Sequence, residues 1–296
     1  MKIINFGSIN IDHVYSVPHF VQPGETLASH SYQTFAGGKG LNQSVAIARA
    51  GAEVLHAGKI GTDGEWLRKD LDKAGVDTSN IEIEDKIPTG HAIIQVLSEG
   101  QRENCILLFG GANQSIQSSE IDDVLAQTKS GDIILLQNEI NAVSEIIEKS
   151  YKKGLRIVLN PAPFDSEIRN LPLDKIDILI LNETEGEGLT NHRDPQTIVD
   201  DLAKKLPDCT VILTLGEHGV MCRDKTELIK IPAKEVEVVD TTAAGDTFIG
   251  YFVAEISQGT ELEQALITAT QAAAICVTRR GAAVSIPTRA EVTNAI

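Results

Sequence analysis

The residues Val239-Asp240-Thr241-Thr242-Ala243-Ala244-Gly245-Asp246-Thr247-Phe248 stand where a strand-like stretch gives way to a long run at helical spacing. Small residues let a ligand approach the backbone closely. The free N–H groups of a first helical turn, at the positive end of the helix dipole, make a ready anion site. Asp246 inside that turn either stabilises the helix start or serves as a general base beside a bound phosphate, taking a proton from an attacking hydroxyl. A second segment, Gly37-Gly38-Lys39-Gly40-Leu41-Asn42, also opens a helix. It is no Walker loop, because Gly40 follows the lysine where Ser or Thr is needed. It is either a tight turn before a helix, or a place where Lys39 and Asn42 grip a small hydroxylated ligand.

Three smaller clusters follow apolar runs: Asn10-Ile11-Asp12, Asn182-Glu183-Thr184-Glu185 and Thr214-Leu215-Gly216-Glu217-His218-Gly219. Each alone is ordinary loop and cap chemistry. Together they matter more, since ligands of open α/β sheets bind in the crevice at the carboxyl ends of strands. After the first strand only Gly7 is available, so the G-x-G-x-x-G signature of nicotinamide binding is missing.

The elements that must position these residues show two alternating periods. Ile133–Gln137, Arg156–Leu159, Ile176–Leu181 and Thr210–Leu215 are short apolar runs that read as buried strands. Between them, Ala142–Tyr151 and Pro195–Leu206 carry apolar residues at helical spacing, and two long helices follow, about Ala243–Ser257 and about Glu261–Thr278. Strands alternating with helices predict an α/β fold, a doubly wound and mostly parallel sheet with helices on both faces. Earlier in the chain, Lys2–Ile9 reads as a strand and Leu41–Ala50 as a helix. The stretches at about 12–36 and 89–108 do not fit crossover helices. They read as antiparallel strands, the second with a turn around Glu99-Gly100, and predict a small β-sheet lid inserted into one domain spanning 1–296.

Composition narrows the function classes. The 296 residues include 26 basic and 42 acidic side chains, a formal charge of −16. A chain with a pI of about 4.8 lacks the basic face that nucleic-acid binding needs. No apolar stretch approaches the roughly 20 residues of a membrane span, and the N-terminus lacks the form of a signal peptide. Cys105, Cys209, Cys222 and Cys276 are far apart and form no C-x-x-C pair. They read as isolated buried thiols of a reducing cytosol. The histidines show no metal-ligating spacing.

The chain resembles the ribokinase-like (PfkB) carbohydrate kinase family over nearly its whole length. The resemblance is carried, in order, by Gly7-Ser8-Ile9-Asn10-Ile11-Asp12, Pro23-Gly24-Glu25-Thr26, Gly37-Gly38-Lys39-Gly40 with Asn42, Asn160-Pro161-Ala162-Pro163, and Asn182-Glu183-Thr184-Glu185. Asp240 through Phe248 and Thr278-Arg279-Arg280-Gly281-Ala282 with Ser285 complete it. The sequence departs from the family pattern at Asn138 and Asn141, and Ala269-Thr270-Gln271 lacks the His or Asn often found near the adenine pocket.

The resemblance implies ATP-dependent phosphorylation of D-ribose to ribose 5-phosphate in the cytoplasm, with Mg²⁺ and an activating K⁺. It makes Asp246 the catalytic base and gives the anion hole to the backbone of Ala243, Ala244 and Gly245. Asn10, Asp12, Gly38, Lys39, Asn42 and Glu139 match sugar-binding positions, with Asp246 also touching the acceptor hydroxyl. Asn182, Thr214, Gly216 and Gly219 match nucleotide-side positions, and Glu185 belongs to the motif associated with magnesium and phosphate. Asp240, Thr242, Cys276, Arg279, Gly281 and Ser285 match a potassium loop that acts mostly through backbone oxygens. The lid implies closure over the sugar and pairing of two subunits as a homodimer. Two other readings stay open: a sibling kinase for fructose, deoxyribose or pseudouridine, and a non-catalytic sugar-binding protein on the same fold.

Overall fold

Aliphatic runs such as Ile133–Gln137, buried along their whole length, can only be central strands covered on both faces. The computed structural model describes residues 1–97 and 104–295, and in it these runs are the middle of a nine-stranded sheet. The chain starts with β1 (Ile3–Phe6), turns out into β2 (Asn10–Val17) and β3 (Ser31–Gly37), and returns through α1 (Lys39–Arg49). β4 (Val54–Gly61), α2 (Glu65–Lys73) and β5 (Asp77–Glu84) follow, then a second excursion as β6 (Gly90–Leu97) and β7 (Asn104–Phe109). From there α3 (Ser118–Ala126), β8 (Ile133–Gln137), α4 (Val143–Lys152), β9 (Arg156–Asn160) and β10 (Ile178–Asn182) alternate. α5 (Glu183–Thr190), α6 (Pro195–Lys205) and β11 (Thr210–Thr214) lead to the hairpin of β12 (Val220–Arg223) and β13 (Leu228–Ile231). Helices α7 (Ala244–Ser257), α8 (Leu262–Cys276) and α9 (Arg289–Asn294) close the described chain.

The large sheet runs β13-β12-β11-β10-β9-β8-β1-β4-β5, parallel except for the β12 and β13 hairpin. Successive side chains of one strand point to opposite faces, so each strand feeds two cores. Ile3 and Ile133 enter the layer under α1, α2, α7 and α8, whereas Ile4 and Ile134 enter the layer under α3, α4 and α6. This is the doubly wound architecture that the alternating periods imply. Among the described residues no helix is long and apolar enough to cross a membrane.

Three expectations need correction. The strand read at Lys2–Ile9 ends at Phe6, because residues 7–9 leave the ladder to meet α1: a Cβ on Gly7 would lie 2.6 Å from the Gly40 Cα, and the Ser8 carbonyl accepts the Leu41 N–H at 2.9 Å. The two excursions together, β2, β3, β6 and β7, do form their own four-stranded sheet in the order β3-β2-β6-β7. Its two hairpins are antiparallel, but β2 and β6 pair in parallel, since both leave the large sheet at the same end. The turn expected around Glu99-Gly100 lies outside the described residues. Finally, Cys209, Cys222 and Cys276 are buried thiols, but Cys105 is exposed, as is every residue of β7.

Helix α7 is buried from Asp246 to Ser257, and it sits close to α1 because Gly250 has no side chain. A Cβ there would lie 2.3 Å from the Ala46 Cβ and 2.9 Å from the Gln43 carbonyl. Two effects of Gly250→Ala oppose each other: the better helix propensity of alanine, about 1 kcal/mol, and the overpacking, about 1–3 kcal/mol. The contact involves a backbone atom of α1 that cannot move aside cheaply, so overpacking should win. Gly250→Ala is expected to lower the denaturant midpoint without changing the slope of the unfolding transition; an unchanged or higher midpoint would show that the helices can spread.

Candidate active site

The N-terminal turn of α7 and the first turn of α1 meet at one carboxylate. Asp246 is 9% exposed, and each of its oxygens takes a hydrogen bond from α1: Asn42 Nδ2 donates to Oδ2 at 3.0 Å and Gln43 Nε2 donates to Oδ1 at 2.9 Å. The Asn42 Oδ1 is buried without a partner, an acceptor waiting for a donor. Ala243 caps α7 in the left-handed region at φ 59, an uncommon conformation for a residue with a Cβ, which turns the chain into the helix. The Ala244 N–H donates to the Thr241 carbonyl at 3.2 Å, while a Cβ on Gly245 would meet nothing within 4 Å. The open face of this turn is therefore at Gly245, where first-turn N–H groups have no intrahelical acceptor.

On the side of the small sheet, Glu139 holds the Lys39 backbone and has Asp12 nearby, whereas Asn42 is held by Asp246 and Asn10 by Asn113. Glu139 Oε2 accepts the Ser8 hydroxyl at 2.5 Å and the Lys39 backbone N–H at 2.9 Å. Asp12 lies flat against Gly37, where a Cβ would come within 2.2 Å of the carboxylate, and a Cβ on Gly38 would lie 3.1 Å from the Asn10 backbone nitrogen. Burial pushes the Glu139 and Glu185 carboxyls above their ordinary range. Burial also draws the Lys39 ammonium down, but Asp246, Glu139 and Glu185 around it more than offset that and hold it above its usual value. Lys39 is thus a fixed cation among carboxylates.

Beyond Asp246 the crevice widens. A cavity of about 240 Å³ is lined by Lys39, Asn160, Asn182, Glu185, Ala243 and Asp246, among others. It continues past Thr214 and Gly245 into a cleft of about 850 Å³ that includes Gly216, Gly219, Phe248 and Thr270. All five predicted nucleotide-side positions thus line one crevice at the carboxyl ends of β10 and β11. Asn182 and Glu185 are wrapped round each other as a capping box of α5, with three contacts of 2.9 Å. Thr270, in the stretch that departs from the family pattern, has its buried Oγ1 without a partner beside this cleft.

The predicted ion loop is also assembled. Asp240 Oδ1 accepts from the Thr242 N–H at 2.9 Å and its Oδ2 accepts from the Gly281 N–H at 2.9 Å, which draws two distant segments together. Cys276 Sγ lies 3.7 Å from the Thr242 carbonyl and 3.1 Å from the Ser285 hydroxyl. The Arg279 side chain turns away to Glu291, at 2.6 Å, so only its backbone remains at the loop.

Several residues escaped the sequence reading. Gln43 touches Asp246 directly, Gln137 touches Gln43 at 2.7 Å, and Asn113 holds Asn10 Oδ1 at 2.7 Å. A signal for Gln43 was present: α1 has no charged residue between Lys39 and Arg49 and is buried from Gly40 to Ile47. A helix buried all round must satisfy its polar side chains inside. The departures at Asn138 and Asn141 are structural: Asn138 donates to the Pro163 carbonyl at 2.8 Å, and Asn141 clasps both backbone groups of Ile116.

A family model described as pfkB family carbohydrate kinase matches residues 1–289. The chain is 41% identical over 294 residues to a ribokinase of Haemophilus influenzae, covering 96% of this chain and 95% of that protein. It is 32% identical over 296 residues to a deoxyribokinase of Salmonella typhi, covering 97% and 96%. The solved structure of an Arabidopsis thaliana ribokinase complexed with ribose and ATP is similar with a TM-score of 0.86 at 30% identity, over 99% of this chain and 97% of that one.

The crowding of carboxylates has a measurable effect on stability. Burial, with Glu139 nearby, pushes the Asp12 carboxyl up to about 7. The native state then keeps a proton that the unfolded chain releases above about pH 4. The favourable contribution of Asp12 is fully present below about pH 4 and is lost as pH rises through about 7. Asp12→Asn cannot ionise, so it is expected to raise the melting temperature more at pH 8 than at pH 5. Equal changes at the two pH values would show that Asp12 ionises in the native state as easily as in the unfolded chain.

Proposed function

We propose ribose as the sugar and ATP as the phosphoryl donor, from the premise that the chain belongs to the pfkB family of carbohydrate kinases. It is a sugar kinase, a phosphotransferase with an alcohol group as acceptor. The observation that carries the assignment of chemistry is Asp246, buried in the first turn of α7 and held by Asn42 and Gln43 beside the open Gly245 turn. In this reading Asp246 takes the proton from the 5-hydroxyl of D-ribose as its oxygen attacks the γ-phosphorus, and ADP leaves as ribose 5-phosphate forms. Charge on the transferring phosphoryl falls on the N–H groups of the Ala243–Gly245 turn and on the Lys39 ammonium. Ala243 and Gly245 suit this better than Ala244, whose N–H is already engaged.

Ribose recognition is assigned to Asn10, Asp12, Lys39, Asn42 and Glu139, with Gly38 allowing close approach. A site that pairs every hydroxyl rejects analogues that lack one, and the unpaired Asn42 Oδ1 fits such a role. The nucleotide is assigned to the cleft at Asn182, Thr214, Gly216 and Gly219. Mg²⁺ takes few protein ligands and many phosphate and water oxygens. Glu185, which lines the cavity with Asp246 and Lys39, suits that pattern, and the ion would supply positive charge that offsets the charge of the phosphates. K⁺ is assigned to the backbone oxygens of the loop of Asp240, Thr242, Cys276, Arg279, Gly281 and Ser285, which is drawn together by the Asp240 carboxylate accepting the Thr242 and Gly281 N–H groups.

The small sheet serves as a lid on the sugar side, as part of one domain spanning the chain. Its strand β7 is an exposed edge carrying Ile106, Leu107, Leu108 and Phe109, which are 55%, 68%, 44% and 49% exposed. An apolar open edge of this kind calls for cover, and pairing with a second copy supplies it. The free thiols suit a reducing cytoplasm.

The test is ATP consumption against a panel of sugars and nucleosides with Mg²⁺, in K⁺ and in Na⁺ alone. Preference for ribose with stimulation by K⁺ would support both the substrate and the ion loop. Preference for deoxyribose would move the specificity towards the Salmonella relative. Silence across the panel would favour a sugar-binding protein without turnover. Asp246→Asn should keep the fold and lower kcat by about 10²–10⁴-fold, and near-normal turnover would remove Asp246 from the role. Leu107→Glu should convert a dimer in light scattering to a monomer; a wild-type protein that is already monomeric would count against the pairing.

A further inference from the structure

Asp246 is supported from inside the fold by side chains that take no part in the proposed ligand contacts. Asn5, Gln43, Ser44, His56 and Gln137 are at most 1% exposed and are hydrogen-bonded in series. The sense of each amide follows from a group that cannot reverse. The Gly40 carbonyl only accepts, so Asn5 faces it with its Nδ2, at 2.8 Å. Asn5 Oδ1 is then the acceptor, and Gln137 Nε2 must donate to it, at 2.9 Å. The second proton of the same nitrogen goes to Gln43 Oε1 at 2.7 Å. Gln43 is thereby left to present its own Nε2 to Asp246 Oδ1 at 2.9 Å, with Asn160 Oδ1 at 3.3 Å.

The other arm of the series ends on a second backbone carbonyl. Asn5 donates to Ser44 Oγ at 2.8 Å, so the Ser44 hydroxyl donates to His56 Nδ1 at 2.8 Å. His56 then keeps its proton on Nε2, facing the Gly7 carbonyl at 3.1 Å. Complete burial holds the imidazole neutral, with a pKa drawn down to about 4. Reversing Gln137 would set its oxygen against Asn5 Oδ1 and Gln43 Oε1. Reversing Gln43 would set an oxygen against the carboxylate. The Gln137 Oε1 is buried without a partner in the present sense, so the cost of reversal lies in setting acceptor against acceptor in a dry interior, which makes the chain of senses stiff.

We propose that Gln43 is a positioning residue for proton transfer, holding the plane of the Asp246 carboxylate together with Asn42, and that Gln137 and Asn5 act through it by fixing its amide as a donor. The proposal rests on Asp246 as the general base and is independent of which sugar brings the hydroxyl.

Gln43→Met fills a similar volume without a donor, whereas Gln43→Glu keeps an acceptor for Gln137 and turns an oxygen on Asp246. On the sugar that the wild-type protein phosphorylates best, both should lower kcat by about 10- to 100-fold, Glu more than Met, with KM for sugar and ATP within about threefold. Gln137→Met should lower kcat in the same way, because Gln43 Oε1 then loses its donor and the amide is free to swing away from the Asp246 oxygen. A second readout needs no substrate. The Gln43 side-chain amide resonances, assigned by their loss in Gln43→Met, should shift in Asp246→Asn and in Gln137→Met in the unliganded protein. Losses in kcat that only track melting temperature, or Gln43 resonances unmoved by Asp246→Asn, would overturn the proposal. A wild-type protein that phosphorylates no sugar would defeat the kinase reading instead, and the amide resonances would still decide this one.

Discussion

The contact between α1 and α7 is the constraint on which the crevice depends. Gly250 lets the two helices approach until a Cβ would lie 2.3 Å from Ala46. That distance sets Asn42 and Gln43, one turn into α1, opposite Asp246 in the first turn of α7. Neither helix chooses its position alone. α1 is placed by Gly40 against Gly7 at the end of β1, and α7 by its apolar packing on α8 and the sheet. A substitution that spreads the pair would therefore damage the site while leaving every site residue in place. Positioning by rigid elements, rather than by the loops that carry the individual residues, is what gives such a constellation its precision.

The electrostatics follow from the same geometry. Asp246, Glu139, Glu185 and Asp12 converge in a chain that already carries −16. Four ionised carboxylates in one partly buried space repel strongly, and three devices relieve this. Lys39 stays cationic among them, the first turn of α7 adds its dipole, and Asp12 holds its proton to about pH 7. An anionic phosphate entering this space would find Lys39 and the Gly245 turn as the positive groups on the cavity wall. A cation accompanying it would relieve the remaining carboxylates, which is a physical reason for the proposed reaction to use a metal–nucleotide complex.

Strands β1 and β8 to β11 of the large sheet were legible because they are largely unbroken aliphatic runs, whereas β4, β5, β12 and β13 were not read from the sequence. Ile133–Gln137 appears in the structure with the same bounds, and α7 and α8 differ from the expected ranges by one or two residues. Residues 7–9 were not legible as a break, since Ile9 continues the apolar pattern while the cause, Gly40, lies far along the chain. The parallel pairing of β2 with β6 was hidden for a similar reason: hairpins announce themselves by their turns, whereas a pairing between distant segments leaves no local mark. For the site, motif residues at strand ends could be read, but Gln137 and Asn5 could not. Each is one polar residue in a strand of apolar ones, and nothing local says which partner it meets.

The small sheet combines a tied root with an uncovered far side. At its root, Asn113 donates to Asn10 Oδ1 at 2.7 Å and accepts from the Ile9 N–H at 3.0 Å. A Cβ on Gly90 would lie 2.1 Å from the Asn113 amide, so β2 and β6 start from one clamped point. The proposed sugar contacts, Asn10 and Asp12, sit at or next to this point, where the backbone has least freedom. β7 lies at the other edge of the sheet, with all of its described residues exposed. Ligand recognition would thus use β2 and pairing with a second copy the β7 edge, two strands away in the same rows, since Asp12 stands opposite Ala92 and Ala92 opposite Leu108. A change at the apolar edge can alter association without touching the root, and a change at Asn113 can disturb Asn10 without altering the edge. The two proposed roles would be separable because a hydrogen-bonded clamp acts over one residue, whereas an apolar surface acts by its area.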